Sequence, residues 1–175
     1  MSLRNLHLVL LIAGGLGITT AQAATTGTLR FTGQVNAGTC NLAAGDVNRT
    51  ITLPTIKISD LDSVVFAGAL DFDISAECES DIRNVIFLFA GTPSPANGLL
   101  FTSTGTSGGT ALWLSSRSPS SSTIPANGTA AQRSRTVATS GNKAVLPLRG
   151  AYHKTGTAIT QGTLVSAVTV SITYN

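Results

Sequence analysis

The sequence predicts an all-β protein. Glycine, serine, threonine and alanine dominate the chain, and only 11% of its residues are charged. Charged residues, which occupy the solvent-facing side of a typical helix, are therefore scarce. Apolar residues instead occur in short runs that alternate with polar residues and are separated by Gly, Pro, Asn or Ser, which is typical of strands joined by turns. Both observations favour a sandwich or a barrel of strands.

The strand-like runs follow one another along most of the chain. In order they are 28–35, 49–53, 69–78, 84–91, 111–115, 144–152 and 163–175. About seven strands with turn signals between them suit a sandwich of immunoglobulin-like size, with a barrel as the alternative. Pro147 lies inside its run, which predicts an edge position or a bulge because proline has no N–H for a sheet ladder.

Two segments have the composition of loops. The first is "GTPSPANG" at 91–98, and the second is the Ser/Thr/Asn/Gly-rich stretch 115–142. Neither shows a composition shift large enough to mark a domain boundary, so we expect both to be surface excursions of one domain.

The first 23 residues have the features of a signal peptide. Arg4 precedes an apolar run at 8–18, and Ala21-Gln22-Ala23 is a small-x-small cleavage signature. The run is too short to span a hydrocarbon core of about 30 Å, and a buried N-terminal helix is the alternative. We expect residues 1–23 to be removed and the mature protein to be exported and soluble.

Export decides how the two cysteines are interpreted. Cys40 and Cys78 are the only cysteines in the chain. An oxidising compartment favours a disulfide between them over a metal or redox pair, with free thiols as the alternative.

The chain offers little for catalysis. After cleavage His153 is the remaining histidine, and the G-x-S-x-G match at 105–109 precedes a strand-like run and has no Asp or Glu after it. A nucleophile elbow needs a following helix and later acid and histidine partners. Asp71 and Asp73 alternate with apolar residues and belong to the solvent face of a strand. We therefore expect no catalytic, cofactor-binding or metal-binding site and no enzyme activity.

The charge distribution is mild and asymmetric. The net charge is +3, and all eight acidic residues precede residue 82. Basic residues are too few to indicate nucleic-acid binding, and they form no cluster with interleaved aromatic residues.

The last and the first strand-like runs share one property. Val168, Val170, Ile172 and Tyr174 alternate with polar residues, so the last strand should be held between neighbours, because an open apolar edge invites pairing with another chain. The run 28–35 has a similar apolar face, made of Leu29, Phe31, Gly33 and Val35. A glycine in such a row suggests close approach by another group.

Taken together, these features resemble the pilin subunits of chaperone–usher fimbriae, of the type 1 and P pilus kind. The matching features are "LRFTGQV", the spacing of Cys40 and Cys78, "FDISAEC", "VIFLFAGT", Gly162, and the penultimate Tyr174 in "ITYN". The resemblance covers nearly all of the mature chain.

The resemblance implies an incomplete immunoglobulin-like sandwich that lacks its C-terminal strand. A periplasmic chaperone, and then the N-terminal extension of another identical or related pilin, would fill the resulting groove, and an outer-membrane usher would carry the subunit to a surface fimbrium. Residues 24–39 would be the extension and 40–175 the pilin domain. The donor side chains would be Leu29, Phe31 and Val35 with Gly33, and the acceptor groove would include Gly162, Val168, Val170, Ile172 and Tyr174.

The main competing interpretation is a secreted, monomeric β-sandwich adhesin that binds glycans through Trp113 and the 115–142 loops.

Overall fold

A computed structural model describes residues 28–118 and 120–175. The chain divides into two compact units, residues 1–35 and 36–175. The described strands and the short helix all lie in the second unit. The predicted signal peptide, and residues 24–27 of the predicted extension, lie outside the described residues.

The second unit is a sandwich of two antiparallel sheets, which confirms the all-β prediction. The strands are β1 (Cys40–Leu42), β2 (Phe66–Cys78), β3 (Asn84–Ala90), β4 (Pro93–Ser94), β5 (Asn97–Phe101), β6 (Thr110–Ser116), β7 (Ser122–Thr123), β8 (Ser134–Ala138), β9 (Lys143–Lys154) and β10 (Thr169–Tyr174). One sheet has the strand order β1-β2-β9-β6-β5-β4, with β7 added beside β6, and the other has the order β10-β3-β8. A short helix α1 (Ala130–Arg133) precedes β8, and 3-10 turns occur at Ala44–Asp46 and Ile58–Leu61.

The core forms where alternating side chains of the two sheets meet. In β3, Val85, Phe87 and Phe89 are buried, whereas the residues between them are partly exposed. Leu146 and Leu148 of β9 are buried in the same core cluster. The period-two pattern read from the sequence is therefore the pattern of burial, because successive strand residues face opposite sides of a sheet.

A disulfide ties the first strand to the second. Cys40 and Cys78 are directly opposite each other in the β1–β2 ladder and are bonded. This confirms the pairing expected from export, and it fixes β1 at the edge of the larger sheet.

Loss of this disulfide should destabilise the subunit. Removing a native disulfide from a small secreted domain costs about 2–5 kcal/mol, so Cys78→Ser should markedly lower the amount of folded protein in the periplasm. Immunoblotting of periplasmic extracts measures the level, and Ser80→Ala is a surface control. Equal levels of the Cys78→Ser and wild-type subunits would contradict this prediction.

The two predicted loops contain more structure than the sequence indicated. Residues 91–98 include β4, and residues 115–142 include β7, α1 and β8. Ile124 is fully buried within the second stretch. The description of both stretches as surface excursions is wrong to that extent.

Arg135 explains much of the order in the longer stretch. Its guanidinium donates hydrogen bonds to the hydroxyl of Ser116 at 2.9 Å and to the carbonyl of Thr123 at 2.7 Å, which ties β8 to β6 and β7. Burial lowers the pKa of Arg135 from its usual value. The spacing of apolar residues in the sequence does not predict hydrogen bonds of this kind.

Three predicted strand assignments need correction. Residues 28–35 and 49–53 are in no strand, and the last strand begins at Thr169 and not at 163. Strand assignment requires a continuous ladder of main-chain hydrogen bonds with a neighbouring strand, and the described part of the chain forms no such ladder at these places.

Pro147 lies in β9, which pairs with β2 and β6 and is therefore an interior strand of its sheet. The register with β6 ends at Leu148, but the N–H of Arg117, just after β6, still donates to the Pro147 carbonyl at 2.8 Å. The edge prediction is therefore wrong. The irregularity in the β2–β9 ladder lies at Ala67/Leu70 and not at Pro147.

Among the described residues, no helix is long and apolar enough to cross a membrane.

Candidate functional site

A long open groove runs beside β10, between the two sheets. Its volume is about 1400 Å³. One wall is formed by residues 47–58 and the other by residues 159–170. The floor is mainly apolar. It is formed by side chains that belong to the core cluster or pack against it, together with Tyr152; the former include Leu42, Phe72, Ile74, Phe89, Leu112, Leu114 and Leu148.

The groove exists because β10 has one sheet neighbour. All of its register partners lie in β3, from Thr169 opposite Ala90 to Tyr174 opposite Val85. Within the described part of the chain no strand pairs with its other edge. The expectation that the last strand is held between two neighbours is therefore met on one side only. An open strand edge of this kind is a ready template for an added strand.

The wall that leads into β10 presents a row of half-buried side chains. Leu164, Ser166, Val168, Val170 and Ile172 are half-buried, while the residues between them are exposed. Val168, Val170 and Ile172 pack against the core cluster. Such half-burial leaves part of each apolar side chain in water, which is unfavourable until another segment covers it.

The opposite wall alternates in the same way. Ile51 and Leu53 are half-buried and Thr52 between them is exposed, although residues 49–57 belong to no strand. The strand predicted at 49–53 has the right periodicity. The groove lies where a neighbouring strand would have to be for this segment to be assigned as a strand.

The wall at 159–165 is held in place by the loop at 103–108. The main-chain N–H of Thr104 donates to the carbonyl of Val165 at 2.8 Å, and that of Ser107 donates to the carbonyl of Thr163 at 3.0 Å. The N–H of Thr163 in turn donates to the Thr106 hydroxyl at 3.0 Å. This set of bonds leaves the wall fixed along its outer side and open along the groove.

Two glycines permit this close approach. A Cβ at Gly162 would lie 2.4 Å from the nitrogen of Ser107, and one at Gly105 would lie 2.1 Å from the carbonyl oxygen of Thr163. Gly105 belongs to the G-x-S-x-G match, so its glycine is explained by packing. The Ser107 hydroxyl donates to the Thr160 carbonyl at 3.0 Å.

The predicted acceptor residues divide into two groups. Gly162, Val168 and Val170 line the groove. Ile172 packs against the core farther along β10, and Tyr174 is 38% exposed. Neither Ile172 nor Tyr174 is among the residues that line this volume.

The predicted donor residues lie in the first unit and are exposed. The exposed fractions are 81% for Leu29, 88% for Phe31 and 98% for Val35. A Cβ placed on Gly33 would meet nothing within 4 Å. The apolar side chains of 28–35 are therefore largely exposed.

The remaining sequence candidates occupy the outer surface of the larger sheet. Asp71 accepts hydrogen bonds from Arg149 at 2.6 and 3.0 Å, and Arg117 lies 3.3 Å away. The bond from Arg149, together with the two positive charges, lowers the pKa of Asp71. Asp71 and Asp73 are both exposed, so the assignment to the solvent face of the strand is confirmed.

Trp113 is engaged within the protein. Its ring stacks on Phe66 with centroids 4.9 Å apart, and its indole N–H donates to the Thr123 hydroxyl at 3.1 Å. His153 contacts its own strand, since Nδ1 lies 2.7 Å from the carbonyl oxygen of Lys154.

Sequence reasoning missed the wall at 47–58 as part of the site, as well as Ser166. The alternation at 49–53 was the available signal for the first. Ser166 was not predicted as part of the site, because a serine interrupts the row of apolar residues.

Comparison with known proteins identifies the family of the chain. The family model described as "Fimbrial protein" matches residues 29–175. No curated protein matches the chain by sequence.

Solved structures share the fold at low sequence identity. A chain from a chaperone–usher pilus has a TM-score of 0.61 at 18% identity, covering 86% of this chain and 96% of that one. The P pilus rod subunit PapA has a TM-score of 0.62 at 18% identity, covering 78% and 99%. The CupB6 tip adhesin from Pseudomonas aeruginosa has a TM-score of 0.57 at 19% identity, covering 70% of this chain but only 35% of that one.

Proposed function

Since the chain belongs to the fimbrial protein family, we propose that it is a structural, non-enzymatic subunit of a chaperone–usher fimbria that polymerises by donor-strand exchange. The incomplete immunoglobulin-like sandwich is completed by a strand from a neighbouring subunit. The fimbria supports adhesion of the bacterial surface.

The observation that carries this proposal is the open groove beside β10. Its floor is mainly apolar, and burial alternates along its walls at 51–53 and at 164–172, as in strands that lack a partner. Adding a strand there would supply main-chain hydrogen bonds along the wall and cover the half-buried residues. Both gains depend on a segment from outside this unit.

The chain carries a segment of the matching kind. Leu29, Phe31 and Val35 are exposed on one face of 28–35, and each apolar side chain that leaves water contributes about 1.5–3 kcal/mol. We assign 24–39 as the donor extension and 40–175 as the pilin domain. Gly162, Val168, Val170, Ile172 and Tyr174 belong to the acceptor strand and its approach, with the first three in the groove.

The partners follow from the chemistry of the groove. A subunit with an open apolar groove needs a temporary occupant to prevent aggregation, and this role fits a periplasmic chaperone. An outer-membrane usher would then exchange that occupant for the extension of an identical or related pilin. The route runs from the predicted signal peptide, 1–23, through the periplasm to a surface fimbrium.

Unboiled surface extracts provide the test. A strand-exchanged polymer should give a ladder of oligomers that collapses to one band on boiling, because each junction is one inserted strand that dissociates only when the subunit opens. A monomeric glycan-binding adhesin would run as a single species with or without heat. That second pattern would contradict the proposal.

A further inference from the structure

The turn that follows β2 holds the main chain just before β1. The N–H of Gly38 donates to a carboxylate oxygen of Asp81 at 2.8 Å, and the N–H of Thr39 donates to a carboxylate oxygen of Glu79 at 3.2 Å. In return, the N–H of Glu79 donates to the Thr39 carbonyl at 3.0 Å. The chain is therefore attached to the end of β2 for two residues before the disulfide at Cys40.

Gly38 has to be a glycine for this contact to form. It is buried, whereas residues 28–37 before it are exposed. A Cβ on Gly38 would overlap with the carboxylate of Asp81 and would lie 2.8 Å from a carboxylate oxygen of Glu79. The two carboxylates can therefore approach the main chain this closely only because no side chain stands in their way.

The core of the sandwich does not depend on these two carboxylates. Glu79 and Asp81 are exposed, and the residue after them, Ile82, is the one that packs into the core. The turn is also closed by its own main chain, since the N–H of Ile82 donates to the Glu79 carbonyl at 3.2 Å. Bonds from main-chain N–H groups to carboxylates are charge-assisted and stronger than neutral ones. Their effect falls on the chain at 38–39.

We propose that Asp81 and Glu79 are positioning residues, which clamp the base of the donor extension and thereby restrict bending between successive subunits of the polymer. This inference rests on the proposed function and deepens it. The chain that links a donated segment to its own domain then ends at Ala37, and not at Thr39 as the predicted boundary implies. Releasing the clamp would lengthen this linker by two residues, which is about 7 Å of extended chain.

Bending of polymers of the full chain, measured by electron microscopy of isolated fimbriae, tests the clamp. In the double variant Glu79→Ala/Asp81→Ala we expect the persistence length to fall about twofold, because a longer linker samples more angles. The rate at which the unboiled oligomer ladder dissociates should not change, because the inserted segment is the same. Asp73→Ala removes an exposed acidic side chain on the outer face of β2 and should leave both quantities unchanged.

Gly38→Ala breaks the clamp from the opposite side, because the added methyl group displaces the carboxylate of Asp81 without removing a charge. It should lower the persistence length by itself and have no further effect in the double variant, because changes to groups in contact are not additive. Gly45→Ala is the matched control, since a Cβ there meets nothing within 4 Å.

Hydrogen exchange of the chaperone-bound subunit supplies a second readout that needs no polymer. The amides of Gly38 and Thr39 should exchange about tenfold faster in the double variant, because each loses its acceptor. The same amides should exchange at the wild-type rate in the Asp73→Ala control.

Unchanged exchange of these two amides would overturn the inference. Lower periplasmic levels of the variants, with polymers that bend like the wild type, would show a purely structural role and would overturn it as well. The proposed function fails separately, and it fails if the wild-type chain forms no heat-labile ladder, whereas exchange at Gly38 and Thr39 still decides whether the clamp exists.

Discussion

Gly33→Leu should abolish surface polymer while leaving the level of the subunit in the periplasm unchanged. A Cβ at Gly33 would meet nothing within 4 Å among the described residues, so we expect a leucine there to leave the packing of the isolated subunit unchanged. In a neighbour's groove the same side chain would enter a space matched to a residue without one. Overpacking of this kind costs about 1–3 kcal/mol or more, and the cost should fall on assembly.

The measurements are the oligomer ladder and electron microscopy of cells, together with immunoblots of the periplasm. Val35→Ala is the matched comparison and should be milder, because it removes part of one donor side chain without adding volume. Equal surface polymer for the wild type and Gly33→Leu would show that Gly33 does not enter a groove. The register of Leu29, Phe31 and Val35 would then be wrong as well.

Gly162→Val should impair folding of the subunit itself, whereas Gly33→Leu should impair only assembly. A Cβ at Gly162 would lie 2.4 Å from the nitrogen of Ser107 and 2.5 Å from the carbonyl carbon of Thr106. These are main-chain atoms, so the wall and the 103–108 loop must separate to admit it. We expect a cost of about 3 kcal/mol or more within the subunit, and therefore little folded protein in the periplasm.

Gly45→Ala is the control for Gly162→Val, because a Cβ at Gly45 meets nothing within 4 Å. The periplasmic level of the Gly45→Ala subunit should equal that of the wild type. If Gly162→Val subunits accumulated normally, the close packing of the wall against the 103–108 loop would not be needed for folding.

The strands that have a neighbouring strand on both edges were predictable from the sequence. β2, β3 and β9 each carry an alternating run, because their neighbours are in the same chain and burial follows side-chain alternation, and β6 carries the apolar run 111–114. The disulfide was predictable from export and from the cysteine count. β8 and the buried Ile124 were missed, since the hydrogen bonds of Arg135 that order this region leave no periodic trace.

The groove was predictable only in part. The row that includes Val168 and Val170 was recognised from its alternation, but Ile51 and Leu53 were assigned to an ordinary strand. A sequence pattern shows that a face is to be covered and does not show which chain covers it. The main-chain contact at Gly162 and the unpaired hydroxyl of Ser166 depend on three-dimensional approach, which spacing along the sequence does not report.

Direct binding of the extension to the groove is the most immediate test of the central claim. A subunit that lacks residues 25–34, isolated with its periplasmic chaperone, would be mixed with a synthetic peptide of residues 25–36, and the complexes would be followed by native mass spectrometry. The account predicts that the peptide displaces the chaperone at one peptide per subunit, and that a peptide with leucine at position 33 does not. Retention of the chaperone with the wild-type peptide, or equal displacement by a scrambled peptide, would contradict it.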